Sequence, residues 1–100
     1  MGTKAPHLKM GSFLLNMMYF VYILYSKKFD KYYKGQTNDV EKRLIRHNSG
    51  KEKATSPYRP WDLVWYTDKS TRSEAVVLER KLKNLSKERT RIFIQKFTTN

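Results

Sequence analysis

The chain has 100 residues, 39% hydrophobic and 14% aromatic, which is one domain's length and enough apolar material for one modest core. It holds no cysteine and only two histidines, His7 and His47, which excludes a disulfide framework, a thiol nucleophile, Cys-based zinc sites and a multi-histidine metal cluster. Against 9 Asp and Glu stand 21 Lys and Arg, a net charge of +12, and that excess points to a polyanion as partner, nucleic acid ahead of an anionic membrane surface.

Residues 1–18 differ from the rest. They carry Gly2, Pro6 and Gly11, no acid, and further Met residues at 10, 17 and 18. They read as a loosely ordered extension ahead of a domain spanning 19–97, with Met17 or Met18 as the natural start. Phe13 to Tyr25 is largely apolar, but Asn16 breaks the run and no small-residue cleavage site follows, so no secretory signal is expected. A membrane-spanning helix needs about 20 apolar residues, which this run does not supply. No membrane association is expected, and the absence of thiols fits a cytoplasmic location.

Tyr19 to Tyr25, YFVYILY, is a continuous aromatic and β-branched run and predicts a buried strand. A polar turn through Asp30 leads to a second strand, Tyr32 to Thr37, and the two are close enough to pair as a hairpin. Gly35 within that strand marks either a bulge or a close approach to the backbone. Asn38 or Asp39 caps a helix over 40–48, with Val40 and Leu44 as its buried stripe and Arg43 and His47 on the flank one turn apart. Residues 51–60 form a basic loop with two prolines, and Leu63-Val64-Trp65-Tyr66 is a third strand. Thr71 and Glu74 carry a capping-box signature. The helix it opens has Ala75, Leu78, Leu82 and Leu85 as its core stripe, Glu79 beside it, and Arg80 and Lys83 as available partners for that acid. Ser86 caps a last helix over about 87–97, with Ile92, Phe93 and Phe97 as its apolar contacts. The order β-β-α-β-α-α predicts a small α/β (α+β) domain with a three-stranded, mainly antiparallel sheet flanked by helices.

Several chemistries fail on inventory. No Gly-x-Ser-x-Gly turn exists, the four glycines are too scattered for a phosphate-binding loop, and most of the acids fall in turns or first helical turns. What remains is a tyrosine-rich hairpin, a helix offering Arg43 and His47, and the lone carboxylate of Glu79. These parts suit phosphodiester cleavage with one metal. Arg clamps a phosphate, a carboxylate holds a hydrated Mg²⁺, and a Tyr hydroxyl positions or deprotonates water.

These parts and their order resemble the GIY-YIG nucleases. Phe20-Val21-Tyr22 stands for the first triplet and Tyr33-Lys34-Gly35 for the second. The stretch from Gly35-Gln36-Thr37-Asn38-Asp39 through Arg43 to His47-Asn48 is similar to the family's G-x-T-x-D…R…H-N run. The likeness is strongest to stand-alone bacterial domains related to the N-terminal domain of the repair excinuclease and to structure-selective junction nucleases. Phe20 replaces the first Gly, Lys34 replaces the middle Ile, and Gln36 stands where excinuclease-type members often carry Lys. The resemblance implies a metal-dependent endonuclease acting on DNA, branched or damaged DNA included and RNA left open, in repair or recombination. It implies Tyr22, Tyr33, Arg43, His47 and Glu79 as catalytic residues converging on one face of the sheet. It implies Glu79 as ligand of Mg²⁺, or Mn²⁺ in its place, and Tyr22 or Tyr33 as the base, with Tyr33 favoured for its nearness to Gly35. Lys34, Gly35, Lys51, Lys53 and Arg59 are then the expected nucleic-acid contacts. Partner proteins are unknown. The alternative is a degenerate module of the same fold that binds nucleic acid without cutting it.

Overall fold

A computed structural model describes residues 18–98, and the expected extension lies outside the described residues apart from Met18, which packs against the core. Strands β1 (Tyr19–Ser26), β2 (Lys31–Thr37) and β3 (Asp62–Lys69) form an antiparallel sheet in the order β2-β1-β3. Helix α1 (Val40–Asn48) follows β2. A 3₁₀ turn, Ser56–Tyr58, lies in the loop to β3, and helices α2 (Arg72–Lys83) and α3 (Lys87–Thr98) complete the α+β order β-β-α-β-α-α.

Strand β1 is the central strand and is covered on both faces, which is why its sequence is apolar without alternation. Phe20, Tyr22 and Leu24 pack with Val40, Trp61 and Leu63 on one side. Val21 and Ile23 pack with Ala75 and Leu82 on the other. The one break in register is on β3. Ile23 opposes Trp65 while Leu24 opposes Leu63, so Val64 is an extra residue. The bulge turns Val64 and Trp65 both towards the α2–α3 side, while Leu63 keeps its place in the first core. The β1–β2 pairing runs unbroken from Phe20↔Thr37 to Ser26↔Lys31, so Gly35 marks a close approach and no bulge.

The caps form as the sequence implies. The Asp39 carboxylate accepts from Lys42 N–H at 3.0 Å, and Thr37 Oγ1 accepts from Asp39 N–H at 3.1 Å. Thr71 accepts from Glu74 N–H at 3.2 Å, but the Glu74 carboxylate accepts from the Ser70 hydroxyl instead of closing the box. Ser86 Oγ caps α3 through Arg89 N–H. Two expectations need correction. His47 lies within the buried stripe of α1 and not on its flank, because residues 40, 44 and 47 share one helical face. On α3 the inward residues are Thr90, Phe93 and Ile94, whereas Ile92 and Phe97 are 52% and 56% exposed. A helix lying on one side of a sheet buries one stripe only, and Ile92 falls outside it.

Leu24 is fully buried and Ile45 is 69% exposed. Leu24→Ala is expected to lower the unfolding free energy by about 2–5 kcal/mol, and Ile45→Ala to change it by no more than about 0.5 kcal/mol. Urea titrations of the two variants beside the parent chain check both.

Candidate active site

Tyr22 faces Gly35 across the β1–β2 pair, and its ring passes over that residue. A Cβ on Gly35 would stand 2.6 Å from the Tyr22 hydroxyl oxygen and 2.8 Å from its Cζ, so only glycine fits there. The hydroxyl ends 2.9 Å from Nε2 of His47, and His47 Nδ1 is 2.8 Å from the hydroxyl oxygen of Thr55. Tyr22, His47 and Thr55 are all buried, 2% exposed or less. The Tyr33 ring flanks them, its centroid 4.9 Å from that of His47 and 6.4 Å from that of Tyr22.

Residues 50–61 fold back over the end of α1 to supply Thr55. The Asn48 side chain donates to the Trp61 carbonyl and accepts from the Trp61 N–H, at 3.0 and 2.6 Å. The Trp61 indole in turn donates to the Thr55 carbonyl at 2.9 Å. His47 and Asn48 are adjacent because one holds the interior and the other holds the loop that closes over it.

Glu79 arrives from the opposite side of the sheet. Helix α2 packs on the Val21–Ile23 face. Gln36, paired with Val21 on the edge strand, donates to Glu79 Oε1 at 2.6 Å. Lys83, one turn on, pairs with Oε2 at 2.9 Å. Because β2 has no outer neighbour, Glu79 reaches round it into a cavity of about 390 Å³ that Tyr22, Tyr33, Gly35 and Arg43 also line. The expected residues therefore meet, but not on one face: four come from the α1 side, and Glu79 comes round the edge. His47 stands behind the two tyrosines and does not line the cavity. Arg43 is 37% exposed and pairs with Glu52 at 3.6 Å, and Glu52 also binds Arg46.

Of the expected nucleic-acid contacts, only Gly35 lines the cavity. Lys34 pairs with Ile23, so it faces the α2–α3 side, where it is half-buried without an ion-pair partner among the described residues. Lys51 and Lys53 are exposed on the loop after α1. Arg59 is exposed too. Its Nε donates to the Ser56 carbonyl at 2.8 Å, and its guanidinium rests on Gly50, whose φ of +85° and missing Cβ allow that contact. Arg72 and Asn38 line the cavity and were not expected. Arg72 could have been found from the Thr71 cap, which puts it at the start of α2, but Glu52 and Thr55 carry no local signal.

Burial, with Tyr33 alongside, pushes the Tyr22 phenol far above its ordinary range despite Arg43. Burial and the Arg43 charge push His47 below its ordinary value, so it is neutral at pH 7. Arg46 holds the Glu52 carboxyl down, and the Glu79 hydrogen bond holds the Lys83 ammonium up. Among the described residues no group of three or more His, Asp or Glu could enclose a metal. A single carboxylate lining a cavity of this size does suit Mg²⁺, which keeps most of its waters and takes one or two protein carboxylates.

A family model described as the GIY-YIG catalytic domain matches residues 18–92. The UPF0213 protein YazA of Bacillus subtilis (strain 168) is 35% identical over 78 residues, covering 77% of this chain and 78% of that protein. A UPF0213 protein of Staphylococcus saprophyticus is 36% identical over 72 residues, covering 71% and 87%. The solution NMR structure of a UPF0213 protein from Bacillus halodurans is similar with a TM-score of 0.54 at 33% identity, covering 81% of this chain and 86% of that one.

Gly35→Ala is expected to displace the Tyr22 hydroxyl and to destabilise the chain by about 1–3 kcal/mol, the range for overpacking a filled site. Denaturant titration and the Tyr22 ring shifts in an NMR spectrum check it. A second expectation concerns pH. The folded-state pKa of His47 lies below its unfolded value near 6.5. The unfolded chain therefore takes up a proton first on acidification, and the His47 contribution is complete above about pH 6.5 and declines below it. Stability is expected to be level from about pH 7.5 to about pH 6.5 and to fall as the pH drops below about 6.5, with a shallower fall in His47→Gln, as read from denaturation midpoints.

Proposed function

This chain belongs to the GIY-YIG family, and from that membership we propose that it is a metal-dependent endonuclease hydrolysing DNA phosphodiester bonds, with repair or recombination as its setting. The observation that carries the reading is the Tyr22–His47 hydrogen bond behind a cavity that also holds Arg43 and Glu79. A buried phenol beside a neutral imidazole is a proton-transfer pair, and an Arg and a carboxylate within the same cavity are a phosphate clamp and a cation ligand.

Glu79 is the residue that would hold the divalent cation, Mg²⁺ or Mn²⁺, with Lys83 giving way to it. When bound, such an ion offsets charge on the scissile phosphate and on the leaving 3′-oxygen. Arg43 exchanges Glu52 for a non-bridging phosphate oxygen and stabilises the additional charge of the pentavalent transition state. The attacking water gives a proton to the Tyr22 oxygen as the Tyr22 proton passes to His47 Nε2. The new P–O bond forms as the bond to the 3′-oxygen breaks, and that oxygen takes its proton from solvent. Tyr22 is favoured over Tyr33 as the base because of its bond to His47. The burial that keeps Tyr22 un-ionised is the reason its proton has to leave in the same step. Tyr33 borders the cavity and orients the water. Arg72 is the added phosphate contact at the cavity, and Lys51, Lys53 and Arg59 lie along the loop as further contacts to the DNA backbone.

A second reading, a module that binds nucleic acid without cutting it, is favoured by one feature. Glu52 already engages Arg43, and Gln36 and Lys83 already engage both oxygens of Glu79. Plasmid nicking in Mg²⁺ or Mn²⁺ separates the two. Glu79→Gln is expected to lower nicking by about 10²-fold or more, since no second acid compensates for a lone ligand, with DNA binding in EDTA unchanged or slightly tighter by gel shift. Clear binding by the parent chain with no nicking in either metal would favour the binding module.

A further inference from the structure

Two hydroxyls flank the His47 ring, and the direction of the hydrogen bonds between them decides what the ring can do. Tyr22 donates to Nε2 only if that nitrogen is bare, and a neutral imidazole then carries its proton on Nδ1. The surroundings favour this arrangement. The Tyr22 hydroxyl has no acceptor other than His47 Nε2 among the described residues, and it is buried. The Thr55 hydroxyl has a second outlet, the Glu52 carbonyl at 3.5 Å. With Nδ1–H donating to Thr55, and Thr55 donating to that carbonyl, every proton in the chain has an acceptor. In the reverse order the Tyr22 proton has no protein acceptor among the described residues.

We propose that Thr55 is a positioning residue of the Tyr22–His47 pair: its hydroxyl accepts the Nδ1 proton and thereby keeps Nε2 of His47 free to receive the proton of Tyr22. The assignment rests on the endonuclease reading above for its consequence in catalysis, but not for its geometry. Thr55 is 1% exposed and sits 2.8 Å from Nδ1. Its backbone is fixed on both sides. Its N–H donates to the Glu52 carbonyl at 3.2 Å, and its own carbonyl accepts from the Trp61 indole at 2.9 Å. The hydroxyl therefore has little freedom to leave the imidazole. Glu52 joins the two halves of the site. Its backbone ends the hydroxyl chain, and its carboxylate holds Arg43 at 3.6 Å. Movement of this loop would alter the phosphate clamp and the proton acceptor together.

The test combines a spectrum with an activity. Long-range proton–nitrogen NMR on labelled protein at about pH 7.5 distinguishes the protonated from the bare ring nitrogen, and His47→Gln separates the signals of His47 from those of His7. The parent chain is expected to show the proton on Nδ1. Thr55→Val, nearly the same shape without the hydroxyl, is expected to shift the proton to Nε2, with nicking lower by roughly 10²-fold, the low end of what a positioned base contributes. Thr55→Ser is expected to restore both the Nδ1 proton and the nicking. A parent chain protonated on Nε2 overturns the proposal, as does a Thr55→Val protein still protonated on Nδ1, whatever its nicking rate. Should Thr55→Val fail to fold, the parent and Thr55→Ser spectra decide alone. A parent chain with the Nδ1 proton that nicks no DNA would sink the endonuclease reading and leave the Thr55 assignment supported.

Discussion

The hydrogen bond from the Tyr22 hydroxyl to His47 joins parts of the chain that are 25 residues apart, and the rest of the site is arranged around it. It requires a glycine at position 35, because the ring must pass over the neighbouring strand to reach α1. It requires His47 inside the buried stripe of that helix. The ring then needs a partner for its other nitrogen, since a buried polar atom left unpaired costs about 1–3 kcal/mol. Thr55 is that partner, and residues 50–61 fold as they do to bring it there. No buried side-chain nitrogen or oxygen among the described residues lacks a hydrogen bond.

The edge position of β2 decides what else can join. An edge strand exposes both of its faces at one rim, so side chains from helices on opposite sides of the sheet can meet there. Arg43 comes from α1 on one side and Glu79 from α2 on the other. A central strand, flanked on both sides, would have kept them apart by the thickness of the sheet. On a chain of net charge +12, two of the few acids lie against this rim, and each is tied to cations: Glu52 to Arg43 and Arg46, Glu79 to Lys83. These half-exposed pairs contribute little to stability. Their consequence is electrostatic: any anion that reached Arg43 would have to displace Glu52, and any cation that reached Glu79 would have to displace Lys83.

Elements whose signal is local were legible in the sequence. The unbroken apolar run of β1, the Asp39 and Thr71 caps and the 40–48 helix each follow from neighbours within a few residues, and each forms where those neighbours put it. The grouping of Tyr22, Tyr33, Arg43 and Glu79 followed from family order in the sequence, and the cavity does gather them. Where the sequence misled, a choice between two faces was at stake. His47 was expected on the flank of α1 and Ile92 in the core, but the helical period and the packing bury the first and expose the second. Only packing decides which face is buried.

The sequence by itself determined the charge, the element order and the ionisable and aromatic side chains at hand, because these depend on composition and on contacts close along the chain. Only the tertiary structure decided which tyrosine holds a histidine, that Thr55 meets His47 and Glu52 meets Arg43, and that Glu79 enters from the far side of the sheet. Those facts depend on contacts as far apart as Gln36 and Glu79. The chain can make such contacts only after the sheet has closed and set its edge, so no local pattern of residues encodes them.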